Sequence, residues 1–179
     1  MNYEIKEKPE IILVGFKKRF TGLPYGKERA EQEKAFAKQT RAKQWLLIGA
    51  SCDYSTEYAI IMNIDDEGYD FYMAYELDAD TREDMFNPEV TGVEFMDKMG
   101  FETLVIPSQT YVVFETPKSK RPLVDYVDIR KNIVTEWLPN TNYAFIDAPE
   151  VVALHWRPKG EWAKERCIEI CLPIAKIKE

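Results

Sequence analysis

Glu169 is the side chain whose surroundings most favour chemistry. It lies between Ile168 and Ile170 in an apolar, β-branched segment, residues 167–174, that is predicted to be a strand. Alternation along a strand places Glu169 and Cys171 on one face and both isoleucines on the other. Such an acid either faces solvent on a half-exposed strand or is buried. Burial would raise its pKa, and a bound cation would restore the charged form.

Aromatic side chains make up 13% of the chain and offer contacts for a ligand. Phe71 and Tyr75 alternate with Met73, so one face of a predicted strand is rich in rings. We expect this strand to lie across from Glu169. Rings provide shape and cation–π contact for a flat ligand, although they also commonly fill a core.

Three further rings are candidates for the same site. Tyr111 and Phe114 are three residues apart on a predicted strand and therefore face opposite sides, so we expect Tyr111 to reach the cleft. Trp137 closes a helical stripe, where it either packs in the core or contacts a ligand. Tyr143 follows a Pro-Asn-Thr-Asn corner, where it either anchors the turn or belongs to the site.

Other kinds of site receive no support. His155 is the single histidine, and no Ser or Asp at a recognised spacing completes a nucleophilic triad. Cys52, Cys167 and Cys171 have no metal-ligand spacing, so we expect neither a metal nor a cofactor. Cys167 and Cys171 would be roughly 13 Å apart on a strand, too far for a disulfide. Reduced thiols are typical of cytosol.

The overall charge limits the partners. A net charge of −7 disfavours direct binding to nucleic acid, although residues 17–19 and 118–121 form small basic clusters. The N-terminus has no apolar signal core, and no run of about 18 apolar residues occurs. We therefore expect a soluble cytoplasmic protein that does not enter a membrane.

The two halves of the chain begin alike. Three matching pairs, Tyr3 with Phe101, Pro9 with Pro107 and Phe16 with Phe114, are each separated by 98 positions, as are Glu4 and Glu102, and Val14 and Val112. We interpret this as a duplication within a single domain, residues 1–179, with repeats of about 1–95 and 96–179. Two similar lobes leave a cleft along their seam, and asymmetry between the copies marks where a site can lie.

Each half reads as strand, helix, strand, strand. Segments rich in β-branched and aromatic residues predict the strands, with a turn at residues 65–68 and another at 158–160. Good helix formers predict a helix over 27–44. A second helix, ending at Pro139, is predicted by an apolar stripe of Tyr126, Ile129, Ile133, Val134 and Trp137. Residues 78–87 read as the connection between halves. The order predicts an α+β fold with an antiparallel-rich sheet and both helices on one face.

The second half resembles a known family. Residues 110–115 (TYVVFE), 136–143 (EWLPNTNY) and 168–174 (IEICLPI) are similar, in order and spacing, to motifs of the GyrI-like effector-binding family. That family includes the ligand domains of AraC-type and MerR-type regulators. The first half matches loosely.

The resemblance implies a fold of two βαββ units related by a pseudo-twofold axis. It also implies a lipophilic, often cationic, small molecule in an aromatic cleft with an acid at its base, and Glu169 matches that acid. The expected ligand contacts are then Glu169, Trp137, Tyr111, Phe71, Tyr75 and Tyr143.

This chain departs from the regulators because we find no helix-turn-helix segment and no spare length for one. Three hypotheses follow. The first is a stand-alone protein that binds a lipophilic, cationic effector. The second is a hydrolase of strained electrophiles, with Glu169 as general base or charge stabiliser and Tyr111 as proton donor. The third is a protein-inhibitor role, such as toxin or gyrase inhibition, that uses an acidic surface on a protein partner.

Overall fold

The computed structural model describes residues 3–52, 56–119, 122–155 and 167–177, with side chains omitted at 122–124 and 127. The turn predicted at 158–160 lies outside the described residues, as does the end of the basic cluster at residues 120 and 121. The rest of the chain forms one layered α+β structure.

Nine strands form an antiparallel sheet in the described part of the chain. They are β1 (Tyr3–Lys8), β2 (Ile11–Thr21), β3 (Thr56–Met62), β4 (Gly68–Tyr75), β5 (Glu102–Ile106), β6 (Gln109–Glu115), β7 (Tyr143–Phe145), β8 (Glu150–His155) and β9 (Cys167–Lys176). The order across the sheet is β1-β6-β9-β8-β3-β4-β2-β5, and β7 pairs separately with β9.

The helices are α1 (Glu28–Gln39), α2 (Arg41–Ala50), α3 (Ala79–Phe86), α4 (Pro88–Thr91), α5 (Val93–Met99) and α6 (Pro122–Asn132). The single helix predicted over 27–44 is broken at Thr40, whose backbone leaves the helical region and whose hydroxyl donates to the Phe36 carbonyl at 2.7 Å. Three short helices, α3 to α5, make the connection between halves. A π-helical turn, Ile133–Trp137, and a 3₁₀ turn, Leu138–Asn140, continue α6.

The two halves have equivalent topologies. In the first, β2, β3 and β4 lie in the order β3-β4-β2, and in the second, β6, β8 and β9 lie in the order β8-β9-β6. The halves meet where β3 pairs with β8, with Ala59 opposite Val152. This seam relates two βαββ units by a pseudo-twofold axis, as the sequence predicts. We retain the division at about residue 95 as a proposal.

The duplicated strands pair with each other across a corner. Lys8 lies opposite Gln109 before the corner, and Ile11 lies opposite Ile106 after it. Strands β1 and β2 are six places apart in the order, about 29 Å in a flat sheet, whereas Lys8 to Ile11 spans at most about 11 Å. The sheet is therefore strongly curled, and β1 continues into β2 around the corner.

The curled sheet has two faces with separate cores. The outer face packs against α1, α2 and α6 and includes Val14, Phe16, Phe71, Met73, Val152 and Ile168. The inner face includes Leu13, Ile60, Tyr72, Tyr111, Val113 and Cys171, all buried. No helix in the described part of the chain contributes to the inner core. The inner face therefore buries its apolar side chains against one another.

Candidate functional site

A cavity of about 350 Å³ lies on the outer face, over the seam between the two halves and beside α1. We call it the seam cavity. Its walls are mostly apolar and include Ala59, Phe71, Met73, Val152, Leu154 and Ile168. Because Ala59 and Val152 are paired across the seam, the cavity lies where the pseudo-twofold axis crosses the sheet. Its volume is in the range of small-molecule sites.

Glu57 brings a carboxylate to this apolar cavity. It lies on β3 two residues before Ala59, so both side chains point to the outer face. Its Oε2 accepts a hydrogen bond from the Tyr75 hydroxyl at 2.8 Å. Burial, followed by the charge of Glu57, raises the pKa of Tyr75, so this phenol stays protonated and remains a donor.

Arg29 is the buried cation of the seam cavity, and its charge is engaged within the protein. It donates to Glu33 on the same helix, to the Pro24 carbonyl at 2.8 Å and to the Tyr126 hydroxyl. The guanidinium carbon lies 4.4 Å from the centre of the Tyr126 ring. Burial raises the pKa of Tyr126 to about 12. The contact therefore ties α1 to α6 through a neutral phenol.

The seam carries a second glutamate at the equivalent position of the other half. Glu150 lies two residues before Val152, as Glu57 lies two residues before Ala59. Glu150 is buried and accepts a hydrogen bond from Arg130 Nη2 at 2.5 Å. Glu150 is thus buried with Arg130 away from the seam cavity, whereas Glu57 lines that cavity and accepts from Tyr75. This is the asymmetry that the duplication led us to look for.

Two of the predicted ligand contacts lie at the seam cavity. Phe71 lines it directly and stacks on Phe20 with ring centres 4.6 Å apart. Tyr75 reaches it through its hydrogen bond to Glu57. Both side chains point to the outer face, together with Met73, as their spacing predicts.

Glu169 lies elsewhere. It is on the inner face with Cys171, whose Sγ donates to it at 3.3 Å, and its carboxylate forms an ion pair with Lys8. Burial pushes the pKa of Glu169 up, but the hydrogen bond and charge of Lys8 outweigh it and hold that pKa below its ordinary value. The structure does not bring Glu169 together with Phe71 and Tyr75, because the sheet separates them.

Tyr111 also points to the inner face, opposite Phe114, as predicted. Its hydroxyl donates to the Pro149 carbonyl at 3.4 Å, and burial raises its pKa to about 12. Tyr111 pairs with Pro173 on β9, four residues from Glu169 and therefore about 13 Å away along the strand. The hydrolase hypothesis, with Glu169 as general base and Tyr111 as proton donor, stays a prediction.

Trp137 and Tyr143 belong to a ring cluster at the end of α6. Their rings stack with centres 6.4 Å apart, and Trp137 also meets Phe114 at 5.5 Å and Tyr3 at 5.3 Å. Trp137 is buried, as the helical stripe predicts. Neither residue lines the seam cavity. These contacts support a packing role for both rings.

Sequence reasoning missed Glu57, Arg29 and Glu33. Glu57 precedes the apolar run of residues 58–62, although it alternates with Ala59 and Ile61 on the outer face. The signal that could have found it is an acid at the start of an apolar strand, with a counterpart, Glu150, at the start of β8. Arg29 and Glu33 are charged residues of α1, and no apolar pattern in the sequence marks them as part of a site.

Two further searches of the structure gave negative results. Within the described ranges, no three His, Cys, Asp or Glu side chains cluster in a way that could hold a metal ion. None of the helices that the structure describes is both long and apolar enough to cross a membrane.

Solved structures share this fold at low sequence identity. SAV2435, solved with bound tetraphenylphosphonium, has a TM-score of 0.65 and 14% identity over 98% of this chain and 94% of that one. An integron cassette protein of Vibrio cholerae gives 0.60 and 14% over 97% and 95%. The EcmrR C-terminal domain gives 0.58 and 13% over 98% of each chain.

Similarity at this level of identity establishes the fold alone. No curated protein matches the sequence. The sequence matches the family model of the GyrI-like small molecule binding domain over residues 1–175, and this match assigns the chain to a family. It covers both halves, including the half whose motifs resemble the family only loosely. The protein therefore belongs to the GyrI-like small molecule binding domain family.

Proposed function

We propose that the seam cavity binds a lipophilic, cationic small molecule and that Glu57 supplies the negative charge that selects it. The observation that carries this proposal is a carboxylate in a mostly apolar cavity on the pseudo-twofold seam. An organic cation leaves water readily because its charge is spread over apolar groups. A carboxylate in a low-dielectric wall then favours it over a neutral or anionic molecule.

The apolar walls support the lipophilic part of this proposal. Phe71 presents a ring to the cavity, and Met73 adds a flexible thioether that adapts to ligands of different shape. The structure of SAV2435 with tetraphenylphosphonium shows that this fold can accept such a molecule in another protein. We transfer that ligand class, and no contact, to the present chain.

The other charged residues of the cavity support the proposal that the ligand is a cation. Arg29 is neutralised by Glu33, its neighbour one helical turn away, and Lys34 is exposed at the rim. The buried guanidinium is therefore matched by a carboxylate of the protein itself, so it does not add an unmatched positive charge to the cavity. We propose an effector-binding role on this basis, with any regulatory response passed to a protein partner.

The experiment uses two ions of the same shape and opposite charge, tetraphenylphosphonium and tetraphenylborate. We expect calorimetry to show that the wild-type protein binds the cation more tightly than the anion. Glu57→Gln keeps the side-chain shape and removes the charge. It should weaken cation binding by about 1.5–3 kcal/mol, which is roughly 10-fold to 150-fold.

Glu169→Gln is the matched control, because it makes the same change on the inner face. It should leave the affinity for the cation unchanged. Equal affinities of wild type and Glu57→Gln for tetraphenylphosphonium would remove Glu57 from the site. A loss confined to Glu169→Gln would instead restore the acid that the family resemblance indicated.

A further inference from the structure

A second cavity, of about 320 Å³, lies under α6, and we call it the α6 cavity. Its walls include Leu23, Met62, Ile64, Val134, Leu138 and Phe145. The buried ion pair of Arg130 and Glu150 also lines it. It shares no lining residue with the seam cavity. The inference below is therefore independent of the proposed function.

The ion pair leaves polar atoms unsatisfied. Arg130 is 2% exposed and Glu150 is 5% exposed. Arg130 Nη2 donates to Glu150 Oε1, but in the described part of the chain Arg130 Nε, Arg130 Nη1 and Glu150 Oε2 have no hydrogen-bond partner. Buried polar groups of native proteins are nearly always hydrogen-bonded, so these atoms call for a further partner.

Two rings also contact the guanidinium of Arg130. Its carbon lies 5.4 Å from the centre of the Tyr25 ring and 5.3 Å from that of Phe145. Cation–π contact acts on the face of the guanidinium, whereas its N–H groups point outward in its plane. The rings therefore fix the orientation of Arg130 without satisfying its free N–H groups.

The charges of the buried pair at the base of the α6 cavity select a neutral partner, because the third charged residue of the lining, Asp147, is exposed to solvent. An anion would be attracted by Arg130 but would meet the free Oε2 of Glu150, and a cation would meet the guanidinium. A neutral molecule that carries an acceptor beside an N–H donor complements both atoms. We propose that the α6 cavity binds a small neutral amide, whose carbonyl oxygen accepts from Arg130 and whose N–H donates to Glu150.

The test follows methionine methyl groups by NMR during a titration with benzamide. Met62 lines the α6 cavity and Met73 lines the seam cavity, so each methyl reports one site. We expect saturable shifts at Met62 and none at Met73. Methyl benzoate has a similar shape but lacks the N–H donor. It should bind at least about tenfold more weakly, because the Oε2 atom of Glu150 is then left without a hydrogen bond.

Substitution of Arg130 alone would strand a buried carboxylate and could unfold the protein. Ala148→Leu avoids this, because it fills the α6 cavity and leaves the ion pair intact. It should abolish the Met62 shifts. Ala30→Leu fills the seam cavity instead and should leave benzamide affinity within about twofold of wild type.

Three outcomes would overturn the proposal. The first is the absence of saturable Met62 shifts at millimolar benzamide, which would mean that ordered water alone satisfies the ion pair. The second is benzamide binding that survives Ala148→Leu with the Met62 shifts intact. The third is equal affinity for benzamide and methyl benzoate. Loss of binding in Ala148→Leu together with the ester penalty would support the proposal.

Discussion

The two faces of the curled sheet differ in what covers them. The inner face is covered by its own side chains, and the ionised pair at its margin, Lys8 with Glu169, is internally matched. The outer face is covered by helices, with the seam cavity beside α1 and the α6 cavity beside α6, and each cavity includes a glutamate of the seam. Helices touch a sheet along narrow stripes and leave gaps between them. The site that we propose therefore lies where a helix, and not another strand, covers the sheet.

The largest expected effect tests whether the inner face is a core in its own right. Ile60 and Ile61 are adjacent on β3, fully buried and on opposite faces. We expect Ile60→Ala to lower the free energy of unfolding by about 2–5 kcal/mol, as for other buried aliphatic truncations. Urea unfolding measures it.

Ile61→Ala is the matched comparison, because it removes the same atoms from the helix-covered face. The two losses should be similar if both faces are close-packed. If Ile60→Ala alone lowered the free energy of unfolding by less than about 1 kcal/mol, the inner face would be loosely packed. Removal of the side chain would then neither leave a cavity nor expose buried apolar surface.

An intermediate effect concerns the charge on the inner face. Because the folded-state pKa of Glu169 lies below its ordinary 4.5, its carboxylate stabilises the fold above that pH, and the stabilisation is lost as the pH falls through the folded value. We expect Glu169→Gln to cost up to about 1 kcal/mol at neutral pH, since the pair with Lys8 is partly exposed.

Urea unfolding at several pH values measures this contribution. The curves of wild type and Glu169→Gln should approach each other as the pH falls below 4.5, and converge once it is below the folded-state pKa, where the wild-type acid is protonated as well. A difference that stays constant from neutral to acid pH would contradict the role given to the ion pair with Lys8.

The smallest effect sharpens the electrostatics of the outer face. Lys34 is exposed at the rim of the seam cavity, where its charge opposes a cationic ligand. Lys34→Gln should raise the affinity for tetraphenylphosphonium by a few tenths of a kcal/mol, roughly twofold, and less at high salt. Calorimetry at two salt concentrations measures it, and weaker binding of the cation would argue against a cation site.

Local patterns in the sequence predicted much of the fold. Alternation showed that Phe71, Met73 and Tyr75 share a face and that Tyr111 and Phe114 do not. The constant offset predicted the duplication, and the paired strands on either side of the corner keep one register. These properties follow from the two-residue period of a strand and from copied sequence, so no distant contact is needed to read them.

The position of the site was not predictable in the same way. Alternation groups residues within one strand, but it does not say which group of one strand faces which group of another. Glu169 and Phe71 lie on strands that are separated by β8 and β3, so their relation depends on pairing between distant segments. The family resemblance indicated an acid in an aromatic cleft. The acid within the matching motif is Glu169, which lies on the inner face, whereas the seam cavity lies on the outer face.

The sequence by itself determined most of the strands and their amphipathic faces, the repeat and the family. The tertiary structure alone decided that Glu57 lines the seam cavity and that its counterpart Glu150 is paired with Arg130. The physical reason is that the seam forms when β3 and β8, far apart in the chain, pair at Ala59 and Val152. That register, together with the helices that lie over it, determines which side chains share a cavity.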